Sequence, residues 1–268
     1  MVGLRLSDQM ERWKWASATC RGTSHERNGI RLQDAKICFD LHINGKTFFV
    51  ALVADGAGSS QFGGQGASIA CRTVAVSIRK HFLKSTDLPT EEDITNWIDL
   101  ARDNIYNAAL RRNIQPKDFA TTLLCTITTG FKTLIFQIGD GCTTIKDKEK
   151  NEWITLLWPA HGEYISSTSF LTDEPTPDLR ISTYQHEIES VIMLTDGLER
   201  LALDFNRMKP FEKFFDGFFR PLHRQSSVGK NTELSSKLLS FLKSDRVIEK
   251  TDDDKTIIIS VKTCITEK

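Results

Sequence analysis

Apolar residues recur along the chain in short runs bounded by turn formers, at 35–43, 46–54, 121–128, 133–138, 191–195 and 256–261. Their alternating or continuous apolar character predicts β-strands. Asn44-Gly45 between the first two runs is a two-residue hairpin signal, and Gly130 predicts a second reversal between the next two. Neighbouring strands are therefore expected to be antiparallel. Between these blocks the period changes. Over 66–84, Ala67, Cys71, Val74, Ile78 and Phe82 share one helical face, while Arg79, Lys80 and Lys84 suit the helix C-terminus. A second helix is predicted to open at Thr90, where Thr-Glu-Glu-Asp fits a capping box. Ile94, Trp97, Ile98, Ala101, Ile105 and Ala108 form its buried stripe. A third helix is expected over 232–242, after an aromatic segment at 211–219. Strand pairs separated by helix pairs predict an α+β sandwich of antiparallel sheets covered by helices, in one domain spanning 1–268.

Charge narrows the kinds of partner. The 268 residues carry 35 Lys+Arg against 35 Asp+Glu, so no broad basic field exists to attract nucleic acid or an anionic membrane. Neither is expected as a partner, and function must come from a local site. The six cysteines lack zinc-site spacing, which favours reduced thiols and a cytoplasmic location. Residues 1–20 carry Arg5, Asp8, Glu11, Arg12 and Lys14 and no apolar stretch typical of a signal peptide. The longest apolar run, 48–54, is far shorter than the roughly 18 residues of a membrane span.

The informative feature is where the aspartates fall. Asp-Gly occurs at Asp55, Asp140, Asp196 and Asp216, and three of these pairs end an apolar run: FFVALVADG, TLIFQIGDG and VIMLTDG. Asp-Gly is a favoured turn, so each alone says little. A buried strand that stops in Asp-Gly, however, presents a carboxylate at the sheet rim. Asp34 and Asp252-Asp253-Asp254 stand where strands are predicted to begin. In an antiparallel sheet one strand ends beside the start of its neighbour, so these positions are expected to converge. Clustered carboxylates need protons or cations, and an all-oxygen set suits Mg²⁺ or Mn²⁺. Asp216, inside the aromatic segment, is expected to be structural.

The stretch DGAGSSQFGGQGA lies between a predicted strand and helix but fails the dinucleotide pattern, because Gln61 and Ile69 occupy the last glycine position in the two registers. No phosphate-loop motif with GKS or GKT occurs either. Its glycines are expected to let the backbone approach metal or phosphate, with the Gly56 carbonyl as a metal ligand.

In order, LQDA at 32–35, VADGAGSSQFGGQGA at 53–67, FATTLL at 119–124, IGDG at 138–141, MLTDGL at 193–198 and DDKT at 253–256 resemble the metal-dependent serine/threonine protein phosphatases of type 2C. GTSH at 22–25 ahead of QDA is similar to a bacterial branch of that family. The resemblance implies a four-layer α-β-β-α sandwich, two antiparallel sheets flanked by helices. It also implies two Mg²⁺ or Mn²⁺ ions and a third, weaker one. Asp55 would bridge two metals, with Gly56 and Asp34 completing one, Asp196 and Asp253 the other, and Asp140 helping to hold the third. The implied reaction is attack of a metal-activated water on a phosphomonoester without a phosphoenzyme. Phosphorylated Ser/Thr proteins would be substrates, with a cognate kinase as counterpart.

Several positions depart from the family pattern. Gly29 stands where an arginine usually grips phosphate, and Arg27, Arg31 and His25 are the candidates to replace it. Ala57 stands where many relatives place a histidine that protonates the leaving group; His25 is the candidate donor. Gly141-Cys142 replaces the usual Ser-Arg after Asp140, and His161 is a candidate flap residue. Two rival phosphatase patterns fail on spacing. DDDKT fits an aspartyl-nucleophile motif but precedes the last predicted strand, and Glu26 occupies the arginine position of a Cys20-based loop. The alternative from another class is an inactive, metal-binding phosphatase-like module that recognises phosphoproteins or a partner.

Overall fold

The strand Lys46–Ala54 is apolar from Phe48 onward because both of its faces are covered. Phe48, Val50, Leu52 and Ala54 pack with residues of two long helices, whereas Phe49, Ala51 and Val53 pack against a second sheet. This two-sided burial generates the whole layering. The computed structural model describes residues 9–159 and 168–266, so His161 lies outside the described residues. In chain order the elements are β1 (Gln9–Cys20), α1 (Thr23–Arg27), β2 (Ala35–Ile43), β3 (Lys46–Ala54), α2 (Gly63–Phe82), α3 (Glu91–Leu110), β4 (Leu123–Thr128), β5 (Thr133–Ile138), β6 (Cys142–Asp147), β7 (Trp153–Leu157), β8 (Leu179–Tyr184), β9 (Ile188–Leu194), α4 (Glu199–Ala202), β10 (Leu203–Asp204), β11 (Lys209–Pro210), α5 (Glu212–His223), β12 (Gly229–Lys230), α6 (Thr232–Leu242), α7 (Asp245–Ile248) and β13 (Lys255–Thr266).

One sheet has the order β12-β1-β13-β9-β6-β7, the other β2-β3-β4-β5-β8, and β10-β11 form a small ribbon. All pairings are antiparallel except β1 with the two-residue β12. Three hydrophobic layers fill the molecule. Trp13, Trp15, Phe49, Leu124, Met193 and Ile258 lie between the sheets, and Trp13 stacks on Phe49 with ring centroids 5.2 Å apart. α2 and α3 cover the five-stranded sheet, and α5 and α6 cover the six-stranded one. This is the expected four-layer α-β-β-α sandwich.

Local signals held where the sequence spoke clearly. Asn44 and Gly45 both adopt positive φ, 49° and 76°, in the β2–β3 hairpin. Thr90 caps α3 in a reciprocal box with Asp93. The helix expected over 66–84 starts three residues earlier, at Gly63, and ends at Phe82. The aromatic segment forms α5, and Asp216 within it accepts hydrogen bonds from Trp153 Nε1 (2.9 Å) and Arg220 (2.8 Å), the structural role expected for it. Strands β1, β6, β7 and β8 carried no clear signal. In β1, Lys14 is the polar position between Trp13 and Trp15, yet it is buried, its ammonium capping the α5 C-terminus by donating to the carbonyls of His223 (3.1 Å) and Gln225 (2.6 Å). In β6, buried Thr143 and Thr144 read as polar.

Registry brings the aspartates together. Ala35 pairs with Ala54, so Asp34 and Asp55 are neighbours at one end of the five-stranded sheet. Ile257 pairs with Leu194, so Asp196 leaves β9 where Asp253 and Asp254 lead into β13. Asp254, fully buried, acts as a splice: Oδ1 accepts from the Gly22 amide and Oδ2 from the Gln33 amide, each at 2.6 Å. Both ends of the 22–33 segment are thereby pinned to the start of β13. Each such charge-assisted bond is worth about 1.5–3 kcal/mol. Asp254→Ala is therefore expected to lower stability by about 3–6 kcal/mol in urea unfolding, and Asp254→Asn by about half as much, since one oxygen acceptor remains. A loss below about 1 kcal/mol for the alanine variant would remove this role.

Candidate metal centre

The rim is built from both sheets. Asp34 and Asp55 flank β2 and β3, Asp196 and Asp253 flank β9 and β13, and Asp140 sits in the crossover from β5 to β6. Asp55, Gly56, Thr122, Asp140, Asp196 and Asp253, with Ala57, Gly58, Ser59, Thr168 and Phe170, line a cleft of about 200 Å³. A larger cleft, about 1190 Å³, opens under the hairpin turns around Gly45, Phe131 and Tyr184 and contains none of the candidate residues. Of the candidate metal ligands, all but Asp34 line the smaller one.

Asp34 is held by neighbours from the opposite sheet. Thr195 Oγ1 (2.9 Å) and Thr256 Oγ1 (2.6 Å) both donate to its Oδ2, so this carboxylate ties the sheets together at the rim. Asp55 is fixed through its backbone: its amide donates to Thr122 Oγ1 (3.0 Å), and its carbonyl accepts from the Thr122 amide (2.8 Å) and Thr121 Oγ1 (2.9 Å). Gly56 follows in a position only glycine fits, because a Cβ there would lie 2.1 Å from the Gly63 carbonyl carbon at the start of α2. Gln33, unremarked in the sequence beyond its place in LQDA, accepts from the Gly56 amide (3.2 Å) and donates from its side chain to the Ser60 carbonyl (2.9 Å).

These carboxyl groups resist ionising together. Burial, then the Asp34 and Asp196 charges, pushes Asp55 well above the usual carboxylate range. Burial, followed by the nearby Asp254 and Asp196 charges, raises Asp34 to about 7 against the two threonine bonds. Burial and Asp140 raise Asp196 to about 6, and burial raises Asp253.

The residues fit a hard divalent cation. Asp34 Oδ1 and Asp196 Oδ1 are buried without a hydrogen-bond partner, and every candidate donor is oxygen. Among the described residues no three acidic, imidazole or thiol groups converge as a closed metal cage would. Mg²⁺ or Mn²⁺ does not require such a cage, because it keeps several waters in its shell.

The candidates for phosphate handling separate. His25 is buried in α1, with Nδ1 3.0 Å from Asp254 Oδ1, outside hydrogen-bond geometry, and Nε2 3.9 Å from Asp253 Oδ1. Its Nε2 also lies 3.9 Å from where a Cβ on Gly58 would sit, so it faces the glycine-rich wall of the cleft. Arg27 instead pairs with Asp252 at 3.0 Å on the exposed surface, and Arg31 is exposed; none of the three side chains is among the residues that line the cleft, and His25 alone is buried beside it.

Sequence reasoning missed three contributors. Thr195 immediately precedes Asp196. Asp254 was visible only as part of an acidic triplet. Glu199, three residues after Asp196, is buried, and its Oε1 accepts from the Gly141 amide at 2.6 Å. Burial and the Asp140 and Asp196 charges raise Glu199 to about 8. An acid inside an apolar segment was the one signal available for it.

The raised Asp34 makes the metal-free protein sensitive to pH. An unfolded aspartate titrates near 3.9, so between about pH 4 and pH 7 the folded chain binds a proton that the unfolded chain does not, and stability falls as pH rises. In EDTA, the melting temperature of Asp34→Asn relative to the wild type is expected to climb by several degrees from pH 5 to pH 8. A difference that stays flat with pH would remove this account of Asp34.

A family model described as Protein phosphatase 2C matches residues 21–243. Serine/threonine-protein phosphatase 3 of Escherichia coli (strain K12) is 33% identical over 254 residues, covering 93% of this chain and 98% of that protein. Among solved structures, the catalytic domain of the serine threonine protein phosphatase PstP in complex with 2 manganese ions superposes with a TM-score of 0.60 at 13% identity, over 94% of this chain and 99% of that one. RsbX in complex with magnesium gives 0.56 at 14% identity, over 94% and 96%. The ordered motifs, the sandwich and a full-length relative at this identity converge: the chain belongs to the protein phosphatase 2C family.

Proposed function

We propose that the aspartate rim is the active centre of this metal-dependent protein serine/threonine phosphatase. The observation that carries the proposal is the convergence of Asp55 from one sheet with Asp196 and Asp253 from the other at one cleft, with Asp34 beside Asp55 and tied to the opposite sheet by Thr195 and Thr256, leaving buried oxygens of Asp34 and Asp196 unpartnered. Phosphorylated Ser/Thr proteins are the substrates. Asp34, Asp55 and the Gly56 carbonyl would hold one ion, Asp55 with Asp196 and Asp253 a second, and Asp140 a third, weaker one. Bound Mg²⁺ or Mn²⁺ supplies the positive charge that steadies the phosphoryl oxygens and acidifies the attacking water.

The chain's own residues do the rest. The glycines after Asp55 bring the loop backbone close to the phosphoryl group, and Phe170 forms an apolar wall of the cleft. His25, held between Asp253 and Asp254 with Nε2 toward Gly58, donates a proton to the departing serine or threonine oxygen. Among the three candidates for phosphate grip, the burial of His25 favours it over the exposed Arg27 and Arg31. The chain works as one phosphatase domain over 1–268. No helix among the described residues is long and apolar enough to cross a membrane. That fits the cytoplasmic setting proposed here, with a cognate kinase supplying phosphorylated substrates.

Two experiments test these roles. Hydrolysis of a phosphothreonine peptide is expected to require added Mg²⁺ or Mn²⁺, to stop in EDTA, and to fall at least about 100-fold in Asp55→Asn, since removing a ligand disrupts charge stabilisation at the reacting centre. Wild-type turnover no faster than that of Asp196→Asn would restore the inactive-module reading. For the proton donor, the leaving group is diagnostic. His25→Ala should cost about 10²-fold with the phosphothreonine peptide but under about tenfold with para-nitrophenyl phosphate, whose leaving group departs as an anion. Equal losses on both substrates would take the proton away from His25. Rises in the Michaelis constant for Arg27→Ala or Arg31→Ala, without one for His25→Ala, would return the phosphate grip to that arginine.

A further inference from the structure

The chain crosses from β5 in one sheet to β6 in the other through three residues, Gly139, Asp140 and Gly141. Both glycines hold φ 89°, a conformation side chains rarely adopt, so the turn has no stiffness of its own to aim the aspartate between them. Side chains from elsewhere supply it. Buried Gln137 donates from Nε2 to the carbonyls of Gly139 (2.9 Å) and Gly141 (3.1 Å), and Arg180 donates to Gly139 O (3.0 Å). Thr168 Oγ1 donates to Asp140 Oδ2 at 2.6 Å. All of these grip oxygen atoms of the turn. The Gly141 amide is gripped from the other side, by Glu199 Oε1 at 2.6 Å.

Glu199 is an unfavourable choice on packing grounds alone. It is 5% exposed and lies in the field of Asp140 and Asp196, where a further buried acid is costly. Its hydrogen bond to the Gly141 amide acts on the residue directly after Asp140. Groups of this kind orient a ligand side chain through a hydrogen bond without touching the ion themselves.

We infer that Glu199 is a positioning residue: by holding the Gly141 amide it fixes the crossover turn so that the Asp140 carboxylate faces the cleft ready for the outer, weaker cation. The assignment rests on the metal-dependent reading of the rim. It also explains how this chain keeps Asp140 oriented with Gly141-Cys142 behind it: a glutamate from the β9 side does the holding.

The test is calorimetric titration of Mn²⁺ alone into metal-stripped full-length protein, with no substrate. In the wild type, tight uptake and one weaker event are expected. Glu199→Ala should weaken the weaker event about 10- to 100-fold while the tight events stay within about threefold. Glu199→Gln, whose side-chain carbonyl can still accept from Gly141, should return the weaker event to within about threefold of the wild type. In an Asp140→Asn background, adding Glu199→Ala should change no Mn²⁺ event, because the residue acts through Asp140. A weaker event unchanged in Glu199→Ala overturns the inference, as does an equal loss of the tight events with or without Asp140. If circular dichroism shows the alanine variant unfolded, Glu199→Met fills the same volume without an acceptor and is judged by the same outcomes. A wild-type protein that takes up no Mn²⁺ contradicts the metal reading itself, which separates the two failures.

Discussion

Burying several like charges at one edge of a sandwich is the constraint on which this molecule turns. Asp34, Asp55 and Asp196 are each pushed toward neutrality by burial and by one another, so without cations the rim must retain protons. Divalent cations remove the same conflict and bring catalytic charge with them. One electrostatic problem therefore accounts for the unpartnered oxygens, the raised pKa values and the family's metal-dependent chemistry.

The fold serves this constraint by making the rim rigid from both sides. Antiparallel pairing supplies two pairs of strand ends, and the Trp13–Phe49 layer holds the sheets face to face. At the rim itself Thr195 and Thr256 reach across to Asp34, and Asp254 binds the 22–33 segment that carries His25. The acidic triplet therefore divides its labour. Asp252 pairs with Arg27 on the surface, Asp253 faces the cleft, and Asp254 is committed to holding backbone amides.

Much of this was legible in the sequence because the relevant signals are local. Asp-Gly at a strand end, a capping box at Thr90 and an Asn-Gly hairpin each depend on a few adjacent residues, and the strand ends then converge by antiparallel geometry alone. What stayed hidden depends on tertiary contacts. Lys14 in β1 reads as solvent-facing until α5 places two carbonyls over its ammonium. Thr143 and Thr144 read as surface residues, yet they are buried in a central strand. Glu199 and Asp254 meet backbone amides more than fifty residues away, so no spacing rule marks them. Conversely, Arg27 and Arg31 looked close to the phosphate in sequence, but α1 and the turn after it leave both on the surface.

Proton release on metal binding tests the central claim most directly, because it reports the exchange of protons for cations at the rim without relying on turnover. Calorimetric titration of Mn²⁺ into the metal-free protein at pH 6, repeated in buffers of different ionisation enthalpy, counts the protons given up. With Asp55 and Asp34 protonated at that pH in the absence of metal, the account predicts release of about one or more protons per chain, falling as the pH is raised toward 8. Mn²⁺ binding that releases no protons at pH 6 would contradict it.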